Sequence, residues 1–146
     1  MDKMQKFAER LSELLTERNM RPAHLAKELG VTNKVISRYV NGERIPDLRM
    51  AIRLSEYFQC SIDFLLGRSD EGIGYKPKAV ISFKERLPYL MEFFHVTKYR
   101  LAKETPINES VIYDWQNGLY SPSLDSIIIL ADYFECTVEF IIGRED

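Results

Sequence analysis

The apolar positions of this chain recur at the spacing of amphipathic helices. In the first such stripe the apolar residues stand at positions i, i+4, i+7 and i+8, and they are Phe7, Leu11, Leu14 and Leu15. This spacing places their side chains on one face of a helix over about residues 4–18. No segment shows the alternation of apolar and polar residues that is typical of a strand.

The residues that follow include signals that begin and end helices. Pro22 suits the first turn of a second helix, Pro22–Leu29, because the N–H that proline lacks has no helical partner there. Gly30 ends this helix. Thr32 is a suitable N-cap for a third helix over Asn33–Val40.

Two more helices are predicted after the pair Asn41-Gly42, which closes the third. Asp47 is placed to cap a fourth helix that continues to about Phe58. Ser61 is placed to cap a final turn through Leu66. The pattern therefore predicts five helices in the first part of the chain.

The same pattern returns after a shift of 76 residues, where residues 7–70 and 83–146 are identical at more than a third of their positions. Leu25–Glu28 repeats as Leu101–Glu104, and Asn41-Gly42 repeats as Asn117-Gly118. Such a self-match indicates two copies of one folding unit, each large enough to be a domain. We predict an all-α fold of two tandem five-helix domains, residues 1–70 and 81–146, joined by a linker over residues 71–80.

Charge is distributed unevenly between the two copies. Residues 1–70 carry 12 Lys and Arg against 10 Asp and Glu, which gives +2, whereas residues 79–146 carry 6 against 11, which gives −5. The whole chain has a formal net charge of −2. A nucleic-acid-binding role is therefore expected of the first copy rather than of the second.

Several classes of site and location are not expected. No stretch approaches the roughly 20 apolar residues that span a membrane, and the N-terminus lacks the apolar core of a secretion signal, so we expect the cytoplasm. Cys60 and Cys136 take equivalent positions and are interpreted as core residues. His24 and His95 lack neighbours at metal-ligand spacing. We predict no metal, cofactor, small-molecule ligand, membrane contact or enzymatic activity.

The residues around the second and third helices carry a family resemblance. The segments Leu25–Thr32 and Ile36–Tyr39, with Asn41-Gly42, Pro46 and Leu48, resemble the phage-repressor/Cro-type helix-turn-helix domain. The ending from Leu54 to Asp70 resembles that of regulators from low-GC Gram-positive bacteria. The resemblance covers both copies and implies a DNA-binding regulator whose third helix enters the major groove. The same fold also occurs in antitoxins and other interaction proteins.

The predicted recognition helix, residues 33–40, has two faces. Ile36 and Tyr39 are assigned to the core, and the opposite face carries Asn33, Lys34, Ser37 and Arg38. Asparagine can pair with adenine, and lysine or arginine can reach the acceptors of guanine. Thr32 and the helix N-terminus can offer donors to a phosphate. The alternative is a solvated polar face that binds nothing.

Three further residues complete the predicted DNA-binding set. The resemblance implies that Asn41 contacts the DNA backbone. The family commonly has glutamine at the first turn of the second helix, where Pro22 stands here, and the neighbouring Arg21 could substitute for it. Arg44 and Arg21 would join the basic residues of the helix if these form one patch. Such a patch would favour DNA binding over a protein-interaction role.

The second copy departs from this arrangement. Pro106 replaces Gly30, and because proline cannot adopt the left-handed conformation open to glycine, we predict a rebuilt turn and a re-aimed third helix. Lys98 and Arg100 remain candidate contacts to the DNA backbone. The face equivalent to the recognition face carries Glu109, Ser110, Tyr113 and Asp114. Its carboxylates would be repelled by phosphates, so this copy is predicted not to bind DNA.

The start of the sixth helix is ambiguous. Ser82 and Glu85 have the spacing of a capping box for a helix that begins near Phe83. Pro88 would then lie inside this helix, where it removes a hydrogen bond. The alternative is a regular helix that begins at Pro88 itself.

An apolar run in the second copy suggests self-association. A helix buries one stripe, so at least one of the four residues Ile127–Leu130 should face outward. Leu119 and Tyr120 could extend such a patch, and exposed apolar area of this kind marks a partner surface. The alternatives are a wider core, or two copies that mimic a dimer within one chain. The predicted homodimer surface comprises Ile127, Ile129, Ile141 and Ile142.

These observations predict a transcriptional regulator of bacterial or prophage type that binds double-stranded DNA in a sequence-specific way through its first copy. The rival interpretation is a protein-interaction module, such as an antitoxin or a regulatory scaffold, that keeps the fold without tight DNA binding. Because residues 1–70 carry a net charge of only +2, the sequence does not decide between these two interpretations.

Overall fold

The computed structural model describes residues 2–75 and 78–145. Over these residues the backbone forms ten helices and a single isolated β-bridge, and no strand. The chain divides into two compact units, unit 1 over Met1–Lys76 and unit 2 over Pro77–Asp146. The predicted all-α class is confirmed.

Unit 1 contains the five predicted helices. The N-caps predicted at Asp47 and Ser61 are formed, since their side chains accept hydrogen bonds from the N–H groups of Met50 at 2.8 Å and Phe64 at 3.0 Å. The helices are α1 (Lys3–Glu17), α2 (Pro22–Leu29), α3 (Asn33–Val40), α4 (Leu48–Phe58) and α5 (Ile62–Leu65).

Unit 2 repeats this order of elements. Its sixth helix runs through Pro88, so the alternative in which the helix begins at Pro88 is wrong. Ser82 is the N-cap, but its side chain makes no capping hydrogen bond, so the predicted capping box is not formed. The helices are α6 (Phe83–Phe93), α7 (Lys98–Glu104), α8 (Glu109–Gln116), α9 (Leu124–Phe134) and α10 (Val138–Ile141).

The core of each unit holds its third helix through a contact with its first. In unit 1 the Phe7 ring on α1 meets the Tyr39 ring on α3 edge to face, with centroids 5.4 Å apart. In unit 2 Phe83 meets Trp115 in the same way at 5.5 Å. Aromatic pairs favour this arrangement because the positive ring edge faces the negative ring surface. The third helix is therefore fixed by one face in both units.

Part of the predicted linker belongs to unit 1. Residues 71–75, here called the strap, fold back so that the Ser61 N–H donates to the Gly72 carbonyl at 3.1 Å and the Gly74 N–H donates to the Gln59 carbonyl at 2.7 Å. Cys60 and Ile73 form the β-bridge. The linker predicted over residues 71–80 is thus shorter in the structure. Lys76 and Pro77 lie outside the described residues.

The interpretation of the two cysteines as core residues holds to different degrees. Cys60 is fully buried, whereas Cys136 is half-buried, and neither forms a disulfide bond with a described residue. The difference reflects the strap, which covers the backbone beside Cys60.

The predicted exposure of the isoleucine surface is wrong for three of its four residues. Ile127, Ile141 and Ile142 are buried in unit 2, as are their equivalents Ala51, Leu65 and Leu66 in unit 1. They occupy core positions in both copies, which corresponds to the alternative of a core within the domain. Ile129 is half-buried. Its equivalent Arg53 donates to the Leu29 carbonyl at the end of α2, so this side of the helix lies beside a neighbouring element in unit 1.

No helix among the described residues combines the length and apolar character needed to cross a membrane.

The burial of Ile127 gives a stability prediction. Ile127→Ala should lower the free energy of unfolding of unit 2 by about 2–5 kcal/mol, because it removes buried apolar atoms and leaves a cavity. Ile129→Ala should cost clearly less, because that side chain is only half-buried. Trp115 is the only tryptophan and is buried in unit 2, so its fluorescence in a urea titration reports this unit. Equal losses for the two variants would contradict the assignment.

Candidate nucleic-acid interface

The turn between α2 and α3 has the geometry that Gly30 was predicted to provide. Gly30 adopts a left-handed conformation, with φ 69° and ψ 31°, and its N–H bonds to carbonyls of the last turn of α2. The Val31 N–H donates to the Ala26 carbonyl at 2.9 Å. A Cβ atom at residue 30 would meet no atom within 4 Å, so glycine is required here by its backbone conformation and not by space.

Helix α3 presents the predicted face to solvent. Ile36 and Tyr39 are buried, as expected. Asn33, Lys34 and Arg38 are exposed, and Ser37 is half-buried. The division of the helix into a core face and a polar face is therefore confirmed, and the DNA-binding role of the polar face stays a prediction.

Both ends of α3 leave polar groups at the surface. Thr32 takes the N-cap position with extended backbone, but its side chain makes no capping hydrogen bond and is exposed. Asn41 is exposed at the C-cap. Its equivalent in unit 2, Asn117, instead donates from its side chain to the Tyr113 carbonyl at 2.8 Å. The polar side chains at both ends of α3 are accordingly directed to solvent rather than to the helix.

The predicted basic residues of unit 1 are exposed and form no salt bridge with any described residue; they are Arg21, Lys34, Arg38 and Arg44. By contrast, the Arg10 guanidinium lies 3.1 Å from the Asp70 carboxylate. Arg21 is at the N-cap of α2, the helix that packs against α3. Burial and the charge of Asp47 raise the pKa of Tyr39, and the charge of Arg44 opposes this rise.

The turn of unit 2 is rebuilt, as predicted. Helix α7 ends at Glu104, one residue earlier than its counterpart, and Thr105 is extended with φ −127° and ψ 164°. The Thr105 hydroxyl donates to the Leu101 carbonyl at 2.7 Å and accepts from the Ile107 N–H at 3.2 Å. The Thr105 side chain therefore satisfies the Ile107 N–H, whose equivalent in unit 1, the Val31 N–H, donates to the Ala26 carbonyl instead. The re-aiming of α8 stays a prediction.

The candidate phosphate-binding cations of unit 2 are paired with carboxylates. Lys98 Nζ lies 3.8 Å from Glu109 Oε1, and Arg100 Nε lies 2.6 Å from Glu104 Oε1. The Tyr133 hydroxyl also donates to Glu104 at 2.7 Å, and this bond, together with Arg100, holds the pKa of Glu104 below its usual value. Glu104 therefore stays ionised beside Arg100 at neutral pH.

Known protein families match both units. A helix-turn-helix family model matches residues 11–65, and a model of the Cro/C1-type HTH DNA-binding domain matches residues 86–146. Unit 1 and unit 2 are both helix-turn-helix domains, and the model that matches unit 2 is of the Cro/C1 type. The family resemblance predicted from the sequence is confirmed for the two copies, called the first and the second domain below.

Individual relatives are named as regulators. Over 68 residues the chain is 31% identical to the uncharacterized HTH-type transcriptional regulator YqaE of Bacillus subtilis (strain 168). That match covers 46% of this chain and 59% of the relative. A transcriptional regulator from Listeria innocua with a known crystal structure is 29% identical, with a TM-score of 0.39, and the match covers 78% of this chain and 94% of that chain.

The second helix-turn-helix domain has a surface contact that the sequence did not predict. Partial desolvation raises the pKa of Tyr120, which is 49% exposed, and the charge and hydrogen bond of the Asp114 carboxylate raise it further. Leu119 beside it is 67% exposed. The equivalent residues of the first domain are Glu43 and Arg44, so the exchange of charged for apolar residues between the copies was the available signal.

Among the described residues, no group of three or more histidine, cysteine, aspartate and glutamate side chains is arranged to hold a metal ion.

Proposed function

We propose that the protein is a transcriptional regulator whose first domain binds double-stranded DNA sequence-specifically, with α3 in the major groove. The observation that carries the proposal is the exposed polar face of α3. Lys34 and Arg38 are exposed on this face and form no salt bridge with a described residue, while the opposite face is fixed in the core. The family matches and the names of the relatives support the same role.

Each residue of the proposed interface has a role that follows from its chemistry. Asn33 is suited to adenine, and Lys34 and Arg38 are suited to the O6 and N7 acceptors of guanine, with Ser37 as an additional donor or acceptor between them. Contacts to phosphate are assigned to residues at the rim of the helix, where they position the domain without selecting a base. These are Arg21, Thr32, Asn41 and Arg44.

The second domain is proposed not to bind DNA directly. Its equivalent helix presents Glu109 and Asp114, and its candidate phosphate-binding cations Lys98 and Arg100 are paired with carboxylates. Since affinity for DNA depends on cations that replace the counterions of phosphate, paired cations beside carboxylates contribute little.

The rival proposal is an interaction module without tight DNA binding. The net charge of +2 over residues 1–70 favours it, because strong DNA binders usually carry a larger positive charge. Selection of bound sequences from a random duplex pool separates the two, since only a DNA reader enriches a motif. We expect an enriched motif, no enzymatic activity and action in the cytoplasm.

We infer that the regulator acts as a homodimer. One short recognition helix binds weakly, whereas two can contact half-sites about 34 Å apart. The buried isoleucines are not available for this contact. Leu119 and Tyr120, which are 67% and 49% exposed, are the apolar residues near the loop after α8 that we assign to it.

Lys34→Ala and Arg38→Ala should each weaken binding to the selected site by about 1–3 kcal/mol, because each removes a base contact or a phosphate contact. A lost base contact should also relax preference at one position. A lost phosphate contact should instead weaken binding to all sequences equally. It should also reduce by roughly one the slope of the logarithm of affinity against the logarithm of salt concentration. Fluorescence anisotropy with duplexes substituted at each position measures both effects.

Lys6→Ala is the matched control, because it removes the same charge from a side chain that lies on α1 beside Gly67 and not on α3. It should leave the affinity nearly unchanged. If Lys34→Ala and Arg38→Ala also bind like the parent protein, α3 is not the DNA-reading element.

The second domain gives a converse prediction. The test uses a chain in which Lys34→Ala and Arg38→Ala have removed DNA binding by the first domain. In this chain, the double change Glu109→Lys with Asp114→Arg should raise nonspecific DNA binding. The reason is that it removes repulsion of the phosphates and releases Lys98 from its partner Glu109. Glu109→Gln with Asp114→Asn is the control for loss of charge alone and should give a smaller rise. Strong selective binding by the disabled chain before these changes would show that the second domain reads DNA.

Sedimentation at micromolar concentration tests the proposed dimer. We expect a dimer that Leu119→Glu converts to monomer, because this change puts a charged residue on the proposed apolar surface. The first domain has glutamate, Glu43, at the equivalent position. Phe93→Glu, at a different exposed apolar residue, should leave the dimer intact. A strictly monomeric parent protein would rule the dimer out.

A further inference from the structure

A side chain of α4 holds the turn between α2 and α3 in the first domain. Arg53 donates from Nη2 of its guanidinium to the Leu29 carbonyl at 2.5 Å. Leu29 is the last residue of α2, and Gly30 follows it in the left-handed conformation that begins the turn. The bond therefore connects α4 directly to the helix-turn-helix motif.

The Leu29 carbonyl is open to such a bond because of its place at the helix end. Carbonyls in the last turn of a helix lack partners within the helix. The N–H groups of Gly30 and Val31 bond to carbonyls earlier in α2, and Arg53 provides a donor for that of Leu29. A cation is also favoured at this end, because the carbonyls there carry partial negative charge. Among the described residues, no carboxylate forms a salt bridge with Arg53.

The turn in question carries the N-terminal end of α3. The buried side chains of this helix, Ile36 and Tyr39, come after the two polar residues at its start, Asn33 and Lys34. Thr32 occupies the N-cap but makes no capping hydrogen bond through its side chain. The start of α3 is thus attached to the domain mainly through the turn that precedes it.

Arg53 holds this turn from the surface and not from the core. Its neighbours Ala51 and Leu54 are fully buried, whereas Arg53 itself is exposed. Loss of its side chain should therefore weaken the support of the turn and leave the core of the domain packed. Isoleucine stands at the equivalent position of the second domain, Ile129, between buried residues of α9.

The second domain supports the equivalent turn without an arginine. Thr105 takes the place of Leu29, and its hydroxyl bonds to backbone groups on both sides of it. Ile129, which replaces Arg53, has no side-chain donor to offer. The arginine is therefore present in the domain that is proposed to read DNA and absent from the one that is proposed not to.

We propose that Arg53 is a positioning residue for base recognition, which directs the N-terminal end of α3 without itself contacting DNA. This inference rests on the proposed function of the first domain. Hydrogen bonds to base edges are directional, so a small change in the direction of α3 weakens them. Contacts to phosphate carry no sequence information, so a misdirected α3 should be detected as a loss of base preference.

Arg53→Ile, which installs the residue of the second domain, tests the proposal first without DNA. Loss of the bond to Leu29 should let the turn open more often, so the amides of Gly30 and Val31 should exchange with solvent about fivefold faster. The amide of Asn41, which is hydrogen-bonded at the other end of α3, should keep its exchange rate. Hydrogen–deuterium exchange of the full chain measures these amides together.

The second measurement is base preference, by fluorescence anisotropy with the selected duplex and its single-position variants. Asn33→Ala and Lys34→Ala identify the positions of the site that depend on the start of α3. At these positions Arg53→Ile should reduce the preference for the selected base about fivefold or more, which is a large part of what one correct base pair contributes. The slope of the logarithm of affinity against the logarithm of salt concentration should stay unchanged, because no phosphate contact is lost.

Two variants are the controls. Arg53→Lys keeps a charged donor that can reach the carbonyl, and it should retain most of the parent's amide protection and base preference. Arg18→Ile removes another exposed arginine that donates to a backbone carbonyl, that of Tyr57 at 3.3 Å, but it does so between α1 and α4 and not at the turn. It should change neither measurement. Thermal unfolding by circular dichroism checks that each variant is folded.

Unchanged amide exchange in Arg53→Ile would overturn the proposal, as would faster exchange with an unchanged base preference. A uniform loss of affinity with a salt slope reduced by roughly one would also overturn it, because Arg53 would then contact a phosphate directly. Equal changes in Arg18→Ile would overturn it too, since they would indicate a general loosening of the domain. A parent chain that enriches no motif would refute the proposed function and the base-recognition role together, and the exchange rates would still show whether Arg53 holds the turn.

Discussion

One edge-to-face aromatic contact between the first and third helices sets the geometry of each domain. Phe7 against Tyr39, and Phe83 against Trp115, anchor a helix of two turns by its inner face. Because so short a helix can bury little more than one stripe, its other face is necessarily exposed. The composition of that exposed face, and not the fold, then decides what the domain can bind.

The two copies show how far function can diverge on this shared frame. In the first domain a glycine turn leads into α3, whose lysine and arginine form no salt bridge with described residues. In the second, the hydroxyl of Thr105 supports a turn that contains Pro106, and Lys98 and Arg100 are paired with carboxylates. Both cores remain intact, so these changes alter the surface charge without a loss of packing.

The sequence was sufficient to predict the helices, because caps such as Asp47 and the glycine at residue 30 act locally. It also predicted the buried and exposed faces of α3. The burial of Ile127 was not predictable from one helix, since it depends on which other elements pack around α9. An aromatic groove of the second domain, lined by Phe93, Phe94, Phe134 and Phe140, was equally hidden. The sequence shows that Tyr89, Phe93 and Phe94 replace charged residues of the first copy. Only the fold shows that Phe93 and Phe94 lie together with residues 135–137, and that Tyr89 lies beside Phe93.

The strap shows how the first domain protects the backbone between its fourth and fifth helices. In the first domain the chain that continues beyond α5 turns back and satisfies the backbone at residues 59 and 61. In the second domain, charged positions near the equivalent backbone have become aromatic at Tyr89, Phe93 and Phe94. Exposed strand-like edges are usually protected in proteins, because they pair readily with other chains. The strap therefore removes a strand-like edge from the surface of the first domain. What differs between the exposed surfaces of the two domains is their side chains and not their helical frame.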